Sequence, residues 1–229
     1  MKTNSDTQNN TDTEAAALPL LQPGECGSLR VVDINDNGVW LDQGLPEDLF
    51  MPWAEQRRPR EIGQYETVLV YRDNSGRLAA SSRIDHHLDD RPAGFQPWDK
   101  VSLLVFQRTD LGFKAVIDNR AIGLLYKDEV FRTLRVGQRV PGYVKRIRED
   151  GRIDLSLQPR SRELTDQLER QVLERLTEHG GRLDLSDGSP PEAIREAFGT
   201  SKKAFKRALS SLYKSRRIVI ERDHIRLPD

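Results

Sequence analysis

The chain has 229 residues, 36% hydrophobic and 31% charged, with 36 basic and 36 acidic side chains and a formal net charge of +0. This composition suits two or three small domains with modest cores and excludes a uniformly basic nucleic-acid binder. No apolar run approaches the roughly 18 residues of a spanning helix, and the opening Met1-Lys2-Thr3-Asn4-Ser5-Asp6 lacks a signal pattern, so the expected location is the cytoplasm with no membrane partner.

Residues 1–24 are rich in Thr, Asn, Asp and Ala with Pro19 and Pro23, the composition of a disordered arm. From Gly27 the pattern is β-like. Ser28 to Ile34 alternates, Asp36-Asn37-Gly38 turns, Val39-Trp40-Leu41 begins a second strand, and a third covers about 47–52. Gln64–Tyr71 and Arg77–Ser82 flank the hairpin turn Asp73-Asn74-Ser75-Gly76, completing five strands over a first domain at 25–84. His86 to Pro97, with Pro92 and Gly94, reads as a linker within 85–98.

The same order returns in a second domain, 99–159, with strands near 101–107, 112–117, 121–126, 138–147 and 152–157. Gly38 and Gly112 are 112 − 38 = 74 residues apart, and the same offset relates Gly63-Gln64 to Gly137-Gln138. An internal repeat of this length predicts two tandem barrels rather than a solenoid. Five strands per unit suit the OB-fold, with another five-stranded barrel of the SH3-like kind as the alternative.

After Pro159 the period becomes helical through Leu164, Leu168, Val172, Leu173 and Leu176, ending at His179-Gly180-Gly181. Ser189-Pro190-Pro191-Glu192 reads as a helix start with a Ser189/Glu192 capping box. A third helix, capped by Thr200 or Ser201, carries the stripe Ala204, Phe205, Ala208, Leu209 and Leu212, and two short strands close the chain. This is the order of a winged helix over 160–229. The predicted fold is therefore mainly β with an α C-terminal part: two tandem five-stranded OB-fold barrels followed by a winged-helix domain.

Cys26 is the single cysteine, so no internal disulfide forms; with four scattered histidines no metal site is expected, and adjacent His86 and His87 suit a solvated linker. There is no phosphate loop, nucleophile elbow or helical histidine pair, so neither catalytic residues nor a cofactor are expected.

Binding residues are the remaining candidates. In the second unit Gly112, Gly123 and Glu129 fall on the pattern of the RNA-binding domain named after ribosomal small-subunit protein one, although Leu111 and Lys114 replace its two aromatics and Tyr126 its histidine. In the first unit Trp40 keeps the second aromatic, and Pro52 stands in place of the histidine. Single-stranded RNA needs flat rings for stacking and cations along its phosphates. Tyr126, Lys114, Lys127 and Arg120 are the candidates in unit two, with Trp40 and Trp53 in unit one. A Trp40 packed on the neighbouring domain and a half-buried, hydrogen-bonded Tyr126 are the alternatives. Arg146 and Arg148 form a candidate phosphate rail or a solvated barrel edge.

Lys202, Lys203, Lys206, Arg207, Lys214, Arg216 and Arg217 fall between Gly199 and Ile220 with no acidic residue among them. Lys202, Lys203, Lys206 and Arg207 lie opposite the apolar stripe of the third helix, which would enter a DNA major groove. That helix lacks side chains suited to reading base edges.

Leu49-Phe50-Met51-Pro52-Trp53, the run from Ser189 to Phe198, the run from Ser201 to Ala208 and Leu212-Tyr213-Lys214 resemble the conserved virulence factor B family (YitL-like) over about residues 25–228. The resemblance implies RNA-type OB domains with a C-terminal winged helix, and a bacterial RNA-binding regulator of gene expression contacting RNA through the last barrel and the winged helix. The family usually has three OB domains, and only two fit this sequence. The expected partner is single-stranded RNA, with duplex DNA as the alternative ligand of a transcription regulator. Docking on ribosomes as a protein-interaction module is the third reading.

Overall fold

The computed structural model describes residues 20–228. The first five strands are β1 (Cys26–Asn35), β2 (Gly38–Leu41), β3 (Leu49–Pro52), β4 (Tyr65–Arg72) and β5 (Leu78–Ser81), in the sheet order β3-β2-β1-β4-β5. Alternate residues face inward, so Leu29, Val31, Val39, Leu41, Met51, Val68 and Val70 meet in one core. The edge strands β3 and β5 lie side by side without a ladder. A 3-10 turn, Trp53–Glu55, joins them: Ser82 N donates to Glu55 O at 3.0 Å and Arg57 N to Ser82 Oγ at 2.7 Å.

The second unit, β6 (Lys100–Arg108), β7 (Gly112–Ile117), β8 (Ala121–Tyr126), β9 (Arg139–Ile147) and β10 (Ile153–Ser156), is a closed barrel. Parallel pairing of β10 with β8 closes it, Ile153 opposite Gly123 and Leu155 opposite Leu125. These are the OB-like barrels that the strand pattern predicts.

The repeated glycines have one steric cause in both units. A Cβ on Gly38 would lie 2.3 Å from Met51 O, and one on Gly112 2.0 Å from Leu125 O. Met51 and Leu125 are themselves 74 positions apart. At these points β2 meets β3, and β7 meets β8, too closely for any side chain.

After the barrels come α1 (Ser161–Glu178), β11 (Arg182–Leu183), α2 (Pro191–Phe198), α3 (Lys202–Lys214), β12 (Val219–Ile220) and β13 (Ile225–Arg226), the last three-stranded sheet ordered β11-β13-β12. Val172, Leu176, Ile194, Phe205, Leu209 and Leu212 fill the core beneath α3. Ser201 Oγ caps α3 by accepting from Ala204 N at 3.2 Å. The expected capping box on α2 does not form. Pro190 occupies the cap, and Ser189 Oγ instead accepts from Ser186 N at 2.8 Å, tying the preceding loop.

Two expectations about connecting segments are corrected. The arm read as 1–24 lies outside the described residues up to 19, but residues 20–24 are docked: Leu20 N donates to Gln43 O, Gly24 N to Val70 O, and Leu21 packs on the first core. Residues 85–98 are not a free linker. Asp89 bridges to Ala121 at the start of β8, and Phe95 is buried in the second core. Proline and glycine correctly mark the absence of regular structure there, but periodicity says nothing about a lone aromatic anchor.

The barrels also share a seam. Cys26, Leu69 and Ile84 from the first pack with Leu104, Phe106, Val116 and Ile122 from the second. Cys26 N donates to Asn119 Oδ1 at 3.1 Å, and Asp85 pairs with Arg57 on one side and Lys114 on the other. Burial pushes the Cys26 thiol up to about 12.

Candidate nucleic-acid interface

In the second barrel Ala115, Ile117, Ala121 and Leu125 point inward, which leaves Lys114, Val116, Ile122, Leu124 and Tyr126 on the outer face of β7 and β8. The seam with the first barrel covers Val116 and Ile122. What stays open is a cleft of about 400 Å³ whose lining includes Leu111, Lys114, Leu124, Arg148 and Arg152.

Tyr126 is half-buried at one end of this face. Its hydroxyl accepts from Arg148, whose guanidinium lies 5.7 Å from the ring centre. Arg148 and Arg146 both grip the buried Asp154, each at 2.6 Å. Burial pushes the Asp154 carboxyl up, but hydrogen bonds from Arg148 and Arg146 outweigh it and hold the group below the ordinary carboxylate value. The arginines are thus pre-positioned, Arg146 with its side chain 66% exposed.

Lys127 follows Tyr126 on a 3-10 turn, exposed and without an ion pair among the described residues. Lys114 leans back to Asp85 at 3.5 Å. Arg120 is at the far end of β8 from Tyr126, over the Phe95 ring at 5.0 Å. The structure therefore gathers Tyr126, Lys127 and Arg146 but sets Arg120 apart. Phe113 packs against the core as its alternation predicts.

The first barrel differs. Trp40 packs on Phe50 of its own sheet, ring centres 5.0 Å apart, rather than on the neighbouring domain. Trp53 is 42% exposed and donates its indole N–H to Asp36 O at 3.0 Å. Phe50 was not among the sequence candidates, although it alternates with core residues Leu49 and Met51 and so falls on Trp40's face.

On α3 the cations divide. Lys202 donates to the carbonyls of Gly188 and Ser189 at 3.1 and 2.7 Å, so it braces the loop before α2. Lys206 meets Asp187 at 3.5 Å, and Arg207 donates to Ser161 at the start of α1. Lys203 is exposed and unpaired among the described residues. Along its face, at spacings of three and four, come Lys206, Ser210, Tyr213 and Lys214, all exposed, and the exposed Arg217 follows just beyond the helix end. Tyr213, at 57% exposure, is the residue that charge counting alone passes over. The spacing from Lys203 to Tyr213 and Lys214 was the available signal.

The winged helix meets the second barrel through Gln158, whose amide donates to Gly199 O and Thr200 Oγ1, and through Arg195, 5.7 Å from the Phe131 ring. No group of three or more His, Cys, Asp or Glu that could hold a metal ion occurs among the described residues, and no helix there is long and apolar enough to cross a membrane.

Residues 170–227 match the CvfB-like winged helix domain, and residues 23–83 match the S1 domain. By these matches the chain is similar to the conserved virulence factor B family. It is 26% identical over 226 residues to Conserved virulence factor B of Staphylococcus saprophyticus, a match spanning 92% of this chain and 73% of that protein. Uncharacterized protein YitL of Bacillus subtilis is 29% identical over 213 residues, with 89% and 71% covered. Among solved structures, a multidomain protein with nucleic acid binding domains from Streptococcus pneumoniae aligns at 24% identity and a TM-score of 0.39, over 92% of this chain and 78% of that one. The S1 and winged-helix domains are of nucleic-acid-binding type.

Proposed function

We propose that this protein binds single-stranded RNA through the second barrel and the winged helix, without catalysing a reaction, and acts in the cytoplasm on gene expression after transcription. Its working modules are residues 25–84, 99–159 and 160–229. The observation that carries this reading is the α3 face, where the exposed cations Lys203 and Lys214 share the helix with the exposed Tyr213 ring and the exposed Arg217 follows just past its end. Cations track a phosphate backbone, and a free ring stacks a base for about 1–3 kcal/mol. No Asn or Gln occurs on α3 to read base edges, so weak sequence preference follows. In the second barrel Arg146, Arg148 and Lys127 around Tyr126 supply a second cationic stretch beside the cleft.

Duplex DNA is favoured by one feature, the place of α3 as the third helix of a winged fold. A competition titration with labelled single-stranded oligouridylate against duplex DNA of equal length separates the two. The RNA should win, and Tyr213→Ala should weaken RNA binding about tenfold. A preference for duplex, or full RNA affinity in Tyr213→Ala, refutes the reading.

A further inference from the structure

We propose that the outer face of β2 and β3 in the first barrel docks an arginine-rich peptide segment of another protein, and is not an RNA surface. Between Arg30 and Arg57 the chain has no Lys or Arg but carries Asp33, Asp36, Asp42, Glu47, Asp48 and Glu55. Asp33 stands directly across the ladder from Trp40, and Trp40 from Phe50, so the carboxylate and the two rings share one face. Asp33, Asp36, Glu47 and Asp48 are exposed and have no cationic partner among the described residues. A phosphate backbone approaching Trp40 would meet these charges with repulsion.

The rest of the molecule shows which ligand such rings take. Phe95, Trp98, Tyr126, Phe131 and Phe198 each hold an arginine within 4.9 to 5.7 Å of the ring centre. Trp40 and Phe50 have no such partner among the described residues, although their tilted pair is half-exposed and Asp33 lies across the ladder from Trp40. A guanidinium is planar, stacks on aromatic faces and pairs with carboxylates, so it satisfies both parts of this surface at once. Trp53, its indole tied to the β1–β2 turn, extends the aromatic area beside Gly38, where a Cβ would strike the Phe50 ring. The chain's residues 1–19 carry Lys2 as their sole cation, with Asp6, Asp12 and Glu14, and do not complement the face.

The test uses the full chain and a fluorescein-labelled nonapeptide with arginine alternating with glycine, read by anisotropy between 50 and 200 mM salt. The same peptide with citrulline in place of arginine keeps the shape and removes the charge. The arginine peptide should bind and the citrulline peptide should not. Trp40→Ala should weaken binding about tenfold, and Asp33→Asn with Asp48→Asn should flatten its salt dependence. Trp40→Leu, which keeps an apolar cover on the sheet, should fail like Trp40→Ala while retaining the wild-type circular dichroism spectrum. Equal binding of arginine and citrulline peptides, undiminished binding in Trp40→Leu, or loss of oligouridylate binding in that variant overturns the proposal. So does concentration-dependent self-association abolished by Trp40→Leu, which would assign the face to a second copy. Since α3 and the second barrel are untouched, failure here leaves the RNA reading standing.

Discussion

Replacing Lys203, Lys214 and Arg217 together by alanine removes three exposed cations, two on α3 and one just after it, that have neither an ion pair nor a side-chain hydrogen bond among the described residues. Each contact between a cation and a single-strand phosphate adds about 0.7 to the slope of log affinity against log salt, so three contribute about 2. At about 0.1 M salt that corresponds to roughly a hundredfold loss of affinity. Between about 50 and 200 mM, wild type should weaken roughly 18-fold more than the variant. Lys202→Ala is the internal contrast. Its amine is spent on Gly188 O and Ser189 O, so the slope should stay at the wild-type value while stability falls by about 1–2 kcal/mol. Anisotropy titrations of labelled oligouridylate across that salt range, with circular dichroism to establish folding, supply both numbers. A folded triple variant with an unchanged slope, or a Lys202→Ala slope reduced as much as the triple, would show that the division of α3 into bracing and binding cations is wrong.

Three further outcomes follow from the packing. Gly112→Ala places a Cβ 2.0 Å from Leu125 O at a φ of +153°, and should cost about 2–4 kcal/mol in urea unfolding. Asp154→Asn should cost about 1.5–3 kcal/mol at neutral pH through its weakened bonds to Arg146 and Arg148. Because the folded Asp154 pKa lies below its unfolded value, that stabilisation is complete above about pH 4 and disappears as pH falls through the folded value. Unfolding curves of wild type and variant should therefore converge in acid, and a gap that persists or widens there contradicts the ion cluster. The Cys26 thiol, buried at the seam with its pKa near 12, should resist a thiol-titrating reagent at pH 8 until denaturant is added. Prompt reaction of the native protein would mean the barrels part readily.

Much of the candidate site was legible because single residues carry it. Trp40 and Tyr126 announce themselves as rings at positions where strand alternation points outward, and the structure finds them there. Phe50 was equally available to that rule, yet motif position drew attention to Trp40 and Pro52 and away from the residue between two core neighbours. Lys202 and Lys206 looked equivalent to Lys203 because helical spacing assigns a face but not a partner. Their engagement depends on a loop, 187–189, that is adjacent only in three dimensions.

The sequence by itself determined the two barrels, the winged helix and the order of their strands. Those follow from period, from turn residues and from glycines whose duplication at 74 residues reflects one steric demand met twice. Tertiary structure alone decided that the segment after Ser82 anchors one barrel on the other, with Val116 and Ile122 removed from the open face. It alone made Asp154 the hub of two arginines, and left the aromatic face of the first barrel, with Asp33 across from Trp40, and the unpaired cations of α3 as separate surfaces. The physical reason is range. Periodicity and steric fit between adjacent strands act within a repeat unit and are written locally, whereas ion pairing and burial at a seam depend on which distant groups the completed fold brings within a few ångströms.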